Sequence, residues 1–254
     1  MAVWDRLFKS RKKQIRRKRN YKASNSGNLF ADFFGSSSNA DSNIRFNLRK
    51  IRDRCRDQAR NNQYARRYLQ LLVTNVVGQN GIRIQSKARN EDNSLDFIGN
   101  QIIEREFRKW GKKGNCTIDG KMSFLDAQKL FIETLARDGE VLVRHIKTNN
   151  PLDPYRIQFL DADYLDEEKN EVLNNGQEII MGVKLDKFKK PIAYMLFQEH
   201  PHNNYHGKYN RKHIEVKAED IIHAYQSERP EQTRGLPFMT TALSGMKMLD
   251  GYLE

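Results

Sequence analysis

The sequence predicts an α+β fold, with helices first and a mostly antiparallel sheet with hairpins after them. Three observations lead there. Between residues 44 and 138 apolar side chains recur every three or four positions, the period of one helix face. From Glu140 the period changes to two, the alternation of a strand. Then "IIMGVKLDKFKKPIAYMLFQ" reads as a hairpin, two strands joined near Asp186 to Lys190, with Pro191 entering the second strand at a tolerated place.

The first element is a charged arm. Residues 1–22 hold ten Lys or Arg and one acid, Asp5. The whole chain has 45 basic and 32 acidic residues in 254, a net charge of +13, so the remainder carries only +4. Arg11, Lys12, Lys13, Arg16, Arg17, Lys18 and Arg19 are the candidate DNA contacts, because a basic arm displaces counterions condensed on a nucleic acid. The same charge also suits a solubilising or assembly tail. Residues 23–43 form a Ser/Asn-rich linker interrupted by Leu29, Phe30, Phe33 and Phe34, apolar residues suited to docking on this body or a neighbouring copy.

Ile44, Leu48, Ile51, Cys55 and Ala59 step by four, three, four and four, a helix with one thin apolar stripe. Its other faces carry Arg49, Arg52, Arg56 and Arg60 among other cations, interleaved with Asp53 and Asp57. A DNA-contacting face and a solvated face are both open to it, but the interleaved acids favour pairing across a subunit boundary. Asn61 or Asn62 offers an N-cap to a second helix whose apolar face runs from Tyr64 to Val77, closed by Gly78. A short strand is expected at Ile82–Gln85. A third helix is expected over 93–111, capped by Asn93 or Ser94, with Ile98, Ile102, Ile103, Phe107 and Trp110 inward. Ser123 with Asp126 is a capping-box spacing for a fourth, ending near Asp138-Gly139.

"EVLVRHIK" and "YRIQFLDADYL" follow as strands, and "IEVKAEDIIHAY" adds one more before an apolar stretch. Ala242, Leu243, Met246, Leu249 and Leu253 then mark a last helix. The domain boundaries expected are 1–22, 23–43, a body over 44–235, and the last helix over 236–254.

The chain contains no GxxxxGK[ST] phosphate loop, no GxSxG elbow and no HExxH pair. Asp161, Asp163 and Glu140 fall at predicted strand ends, where carboxylates could hold Mg²⁺ in a nuclease or instead form turns and surface pairs. His200, His202, His206 and His213 cluster in a polar loop without a zinc spacing. No catalytic residue, metal ligand or cofactor is therefore assigned. Cys55 and Cys116 lack a CxxC spacing and fit free buried thiols. No apolar run approaches the roughly 18 residues of a membrane span.

Five stretches in order resemble one family, the lambda-type portal proteins of tailed phages. They are Tyr21-x-Ala23; "CRDQARNNQYARRYLQLLVTNVVGQNGIRIQ" (55–85); "GNCTIDGKMSFLDAQKLFIETLARDGEVLVRH" (114–145); "GVKLDKFKKPIAYML" (182–196); and His223 followed by Arg229-Pro230-x-Gln232-x-Arg234-Gly235 and its helix. Lys189 or Lys190 stands where the family's hairpin turn has Gly. The resemblance implies no enzymatic activity. It implies a portal wing (44–235) followed by the start of a stem helix that continues past Glu254, so that the chain looks like the front half of such a protein. It also implies a homo-oligomeric ring of about a dozen copies at a capsid vertex of the virion, assembled in the host cytoplasm. Its partners would be double-stranded DNA, terminase, capsid or scaffold proteins and tail-connector proteins, with no membrane. Arg229, Gln232, Arg234 and Gly235 would form a turn setting the angle of the last helix, Gly235 supplying a backbone conformation other residues avoid. The alternative class is a Mg²⁺-dependent nucleic-acid enzyme or a basic DNA-binding protein.

Overall fold

The computed structural model describes residues 37–148, 155–202 and 212–253. The chain divides into two units, residues 1–38 and 39–254, and the described elements belong to the second. The α+β expectation holds: helices precede two antiparallel sheets, and a helix ends the series. The seven candidate DNA-contacting residues, Arg11, Lys12, Lys13, Arg16, Arg17, Lys18 and Arg19, lie outside the described residues, as do Leu29 to Phe34 and His206.

The arginine-rich stripe folds as two helices, α1 (Ala40–Arg45) and α2 (Leu48–Asn61), with a turn at Phe46 and Asn47. The stripe itself is inward: Ile44 and Leu48 pack on Met181, and Cys55 packs with Ala65, Leu69 and Ala136. Asn62 caps α3 (Gln63–Val76), its side-chain oxygen accepting from the amides of Tyr64 and Ala65 at 2.9 and 3.1 Å. Gly78 closes that helix at φ +70°. The buried face of α3 is narrower than its sequence implies, because Tyr64, Tyr68 and Val76 remain exposed.

Three expectations fail next. Residues 82–85 form no strand, and the helix α4 (Phe97–Trp110) is capped by Asp96 instead of Asn93 or Ser94. Asn93 has φ +69°, which no helix start accommodates. Ile98, Ile102 and Ile103 point to solvent, and only the C-terminal turn of α4 is packed, through Phe107 and Trp110 against Phe124. By contrast α5 (Phe124–Asp138) begins with the expected reciprocal Ser123–Asp126 box and ends at Gly139 with φ +88°.

Strand β1 (Glu140–Lys147) pairs antiparallel with β2 (Tyr155–Leu160) and with β8 (Ile221–Tyr225), giving the order β2-β1-β8. Both faces of its first half are covered. Val141 and Val143 pack with Ala127 of α5 and Ile157, while Leu142 faces a second core of Leu165, Val183, Tyr194, Leu196 and Val216. The second sheet has five strands: β3 (Glu171–Val172), β4 (Glu178–Ile180), β5 (Val183–Leu185), β6 (Pro191–Phe197) and β7 (His213–Lys217), in that order and all antiparallel. The single expected hairpin is thus two. Met181 and Gly182, at φ +45° and +83°, make a two-residue turn within its first expected strand. The second turn lies where expected, Asp186 accepting from the amides of Phe188 and Lys190 at 2.8 Å. Lys189 there has φ +64°, the conformation for which a Gly is favoured.

After β8 the chain turns through 226–239 and enters α6 (Leu243–Leu253), which starts several residues later than residue 236. Among the described residues no helix is long and apolar enough to cross a membrane.

Candidate functional site

The junction of α2, α5, both sheets and the turn before α6 is built from charge. Arg52 and Arg56 lie one helical turn apart on α2, so their side chains leave the same face. The end of α5 and the start of β1 meet them. Asp138 closes the helix, Gly139 reverses the chain, and Glu140 opens the strand, so two acids flank the left-handed glycine. Asp161 and Asp163 come from the single helical turn after β2, where Asp161 accepts from the Asp163 amide at 3.0 Å.

Glu140 is 0% exposed and stands at the centre. It accepts from Arg52 at 2.6 Å, from Nε of Arg234 at 2.8 and 3.0 Å, from Nη2 of Arg234, and it bonds His223 Nε2 at 3.0 Å. Arg52, 1% exposed, also donates to Asp163 at 2.8 Å. Arg56 donates to Asp138, Asp161 and Asp163 at 2.9, 2.6 and 2.6 Å. Arg137 closes the far side on Asp138 at 3.0 Å. Arg234, 0% exposed, gives its remaining Nη1 to the carbonyl of Met181 at 2.7 Å and so pins the turn between β4 and β5.

The protonation states follow from this packing. Burial alone would push the Glu140 carboxyl up, but the charge and hydrogen bonds of Arg234, with His223 and Arg52, hold it well below the usual range. Asp138 and Asp163 are likewise held low against burial, the first by Arg137 and Arg56, the second by Arg52 and Arg56. Burial lowers His223 below its usual value despite Glu140, which keeps the imidazole neutral. Cys55, fully buried, is a free thiol pushed up to about 12 by burial and by Asp138, hence unreactive.

The candidate seam residues therefore separate. Arg52 is corrected: it is engaged inside the chain and has no surface to offer a neighbour, while Arg56 is also engaged inside the chain but keeps 17% of its side chain exposed. Arg49 meets Glu167 at 3.5 Å and His202 at 2.7 Å, while Arg60 is exposed, 4.0 Å from Asp57. The four turn residues come together. The side-chain oxygen of Gln232 accepts from the amides of Glu228 and Arg229 at 2.9 and 3.3 Å, and its nitrogen donates to the Arg234 carbonyl at 2.7 Å. Thr233 is tied to Asp41 of α1 at 2.8 and 2.6 Å. Gly235 does not take a positive φ, so the expected reason for glycine there is corrected. A Cβ would lie 2.1 Å from the Gly139 carbonyl oxygen and 2.6 Å from Tyr225 Cβ, so the constraint is contact between two backbones. Beyond the turn Met239 is buried with Cys55, Leu69 and Ala136, and Asp250 of α6 accepts from Asn62 at 2.6 Å.

Asp161, Asp163 and His200 bring ligand atoms within 4.8 Å of one another. Both carboxylates already carry guanidinium hydrogen bonds, so a cation would compete with Arg56 and Arg52. His213 instead bonds Asp166 at 2.8 Å, so the described histidines do not share one site. Arg137, Asp138 and His223 were not singled out from the sequence as site residues. The signals available were the pair of acids flanking a helix-ending glycine and the place of His223 at the head of the signature that contains Arg234.

The chain matches the family model for "Phage portal protein, lambda family" over residues 26–254. It is also 36% identical over 192 residues to a "Probable portal protein" of Halomonas phage phiHAP-1, a match covering 76% of this chain and 37% of that relative. The chain thus spans well under half the length of the curated relative. Arg52, Arg234, Asp138 and Glu140, which carry the buried charge junction, all fall within the matched family span. The chain belongs to the lambda family of phage portal proteins.

Proposed function

We propose that this chain is a structural subunit of the portal, the head–tail connector ring at the capsid vertex. About a dozen copies would close head-to-tail around a channel for packaging and ejecting double-stranded DNA. In this reading the DNA is held through backbone charge without base readout. Residues 11–19 supply phosphate contacts, and Arg49 and Arg60 face the seam between subunits. Terminase, capsid or scaffold proteins and tail-connector proteins are the expected partners, first in the host cytoplasm and then in the virion. The turn at Arg229, Gln232, Arg234 and Gly235 sets the angle of the following helix.

One observation carries the reading: the family match extends from residue 26 to residue 254. The charge junction supports it, because its converging ionisable groups neutralise one another and tie helices, sheets and the approach to α6 together. Electron microscopy of the purified chain tests the assembly, with closed rings expected and persistent monomers against it. Deleting residues 1–22 should weaken DNA binding and flatten its salt dependence. Mg²⁺-dependent DNA cutting that is lost in Asp161→Ala would favour the nuclease alternative and count against the portal role.

A further inference from the structure

Helix α4 and the loop before it form a folded spur whose tip is apolar and uncovered. No residue of α4 is buried. The spur is nevertheless ordered from within. Asn100 accepts from Ser86 and from the Ala88 amide at 2.6 and 2.7 Å, and Glu104 accepts from the Ser86 amide at 3.1 Å. The first two turns, "FIGNQII", contain no charge, and Phe97 and Ile98 are 72% and 75% exposed. Ordered apolar side chains held out by a hydrogen-bonded scaffold mark an interaction surface.

The root of the spur carries a matching feature. Trp110 packs on Phe124 and Tyr155, with ring centroids 5.2 and 5.8 Å apart, and donates to the Tyr155 carbonyl at 2.8 Å. Beside it an almost wholly apolar groove of about 320 Å³ runs along the sheet β2-β1-β8, lined among others by Phe131, Ile132, Phe159 and Ile222. Ile98 and Trp110 are separated by about 18 Å of rigid helix, so the tip of a spur cannot fold back into the groove at its own root.

Resting on the portal reading, we propose that the spur of one copy inserts Phe97, Ile98 and Ile102 into the apolar groove of the next copy. Tip and groove are different surfaces, so the contact is heterologous and propagates from copy to copy until the rotation closes a ring. The occupant is a second copy because one chain carries both halves of the contact, an uncharged knob and an uncharged slot.

Mixed cross-linking of the full chain tests this. Ile98→Cys protein is oxidised with Ile222→Cys protein. The native thiols, Cys55 and Cys116, are fully buried and stay silent. A disulfide-linked heterodimer is expected in the mixture and in neither protein alone. Ile98→Asp/Ile102→Asp should raise the concentration for half-assembly roughly tenfold or more, while Val172→Asp, at an 88% exposed site on β3, should not. Assembled rings that give no cross-link overturn the spur contact and leave the portal reading standing. Cross-linked open chains that never close overturn the ring and leave the spur contact. Monomers without cross-links overturn both.

Discussion

Glu140→Gln gives the sharpest test of the charge junction. The substitution keeps the volume but removes the negative charge and places an N–H₂ group among donors. Arg234 is completely buried, and apart from Glu140 it has carbonyl oxygens as partners, with Met181 the nearest at 2.7 Å. Arg52 keeps Asp163, but its partner at 2.6 Å becomes a neutral amide in place of a carboxylate. Removing one member of a buried ion pair costs about 3–5 kcal/mol, chiefly for the uncompensated charge left behind. For a body of this size that corresponds to a fall in Tm of roughly 6–20 °C. Urea titration followed by tryptophan fluorescence measures the loss, and Arg234→Met added to Glu140→Gln should recover part of it because the orphaned cation is removed as well. A loss below about 1 kcal/mol would refute the reasoning, as would a double variant no better than the single one.

Three further outcomes are expected. Gly235→Ala should cost about 1–3 kcal/mol or more, since its Cβ meets the Gly139 backbone, and Gly235→Val should in addition lower ring yield more than DNA affinity; a normal urea midpoint or normal ring yield contradicts this. Stability should fall on acidification in two stages. His223 is held below its ordinary 6.5, so its contribution is full above that pH and declines as the unfolded chain takes up a proton; Glu140, Asp138 and Asp163, held low, lose theirs as pH falls through their ordinary values, 4.5 for the glutamate and 3.8 for the aspartates. Urea midpoints across pH should show both stages, and His223→Gln should abolish the upper one. Ser123→Ala should cost about 1 kcal/mol, with faster amide exchange in the first turn of α5, because it leaves the Asp126 amide without its side-chain acceptor while the Asp126 carboxylate keeps the residue-123 amide.

The features legible in the residue string act over three or four positions. The Ser123–Asp126 box, the Asn62 cap, the closing glycines 78 and 139 and the Asp186–Lys190 turn each satisfy backbone groups within one turn of themselves. Alternation in 140–147 identified a strand but not its neighbours, and β1 proved to be covered on both faces at Val141, Leu142 and Val143. The stripe of α4 has the same three-and-four spacing as a core helix. Periodicity reports that an apolar face exists, not what covers it.

Local order thus came from the chain's own short-range chemistry, whereas the destinations of its charges came from folding. Arg52 and Arg56 look like surface cations in any short window, yet they meet acids 82 to 111 residues away. Gly235 looked like a conformational device and is instead a place where two strands of backbone touch. Caps and turns are decided by atoms a few bonds apart. Desolvation of a charge and room for a Cβ depend on segments that meet only when the two sheets, α2 and the final turn are assembled together.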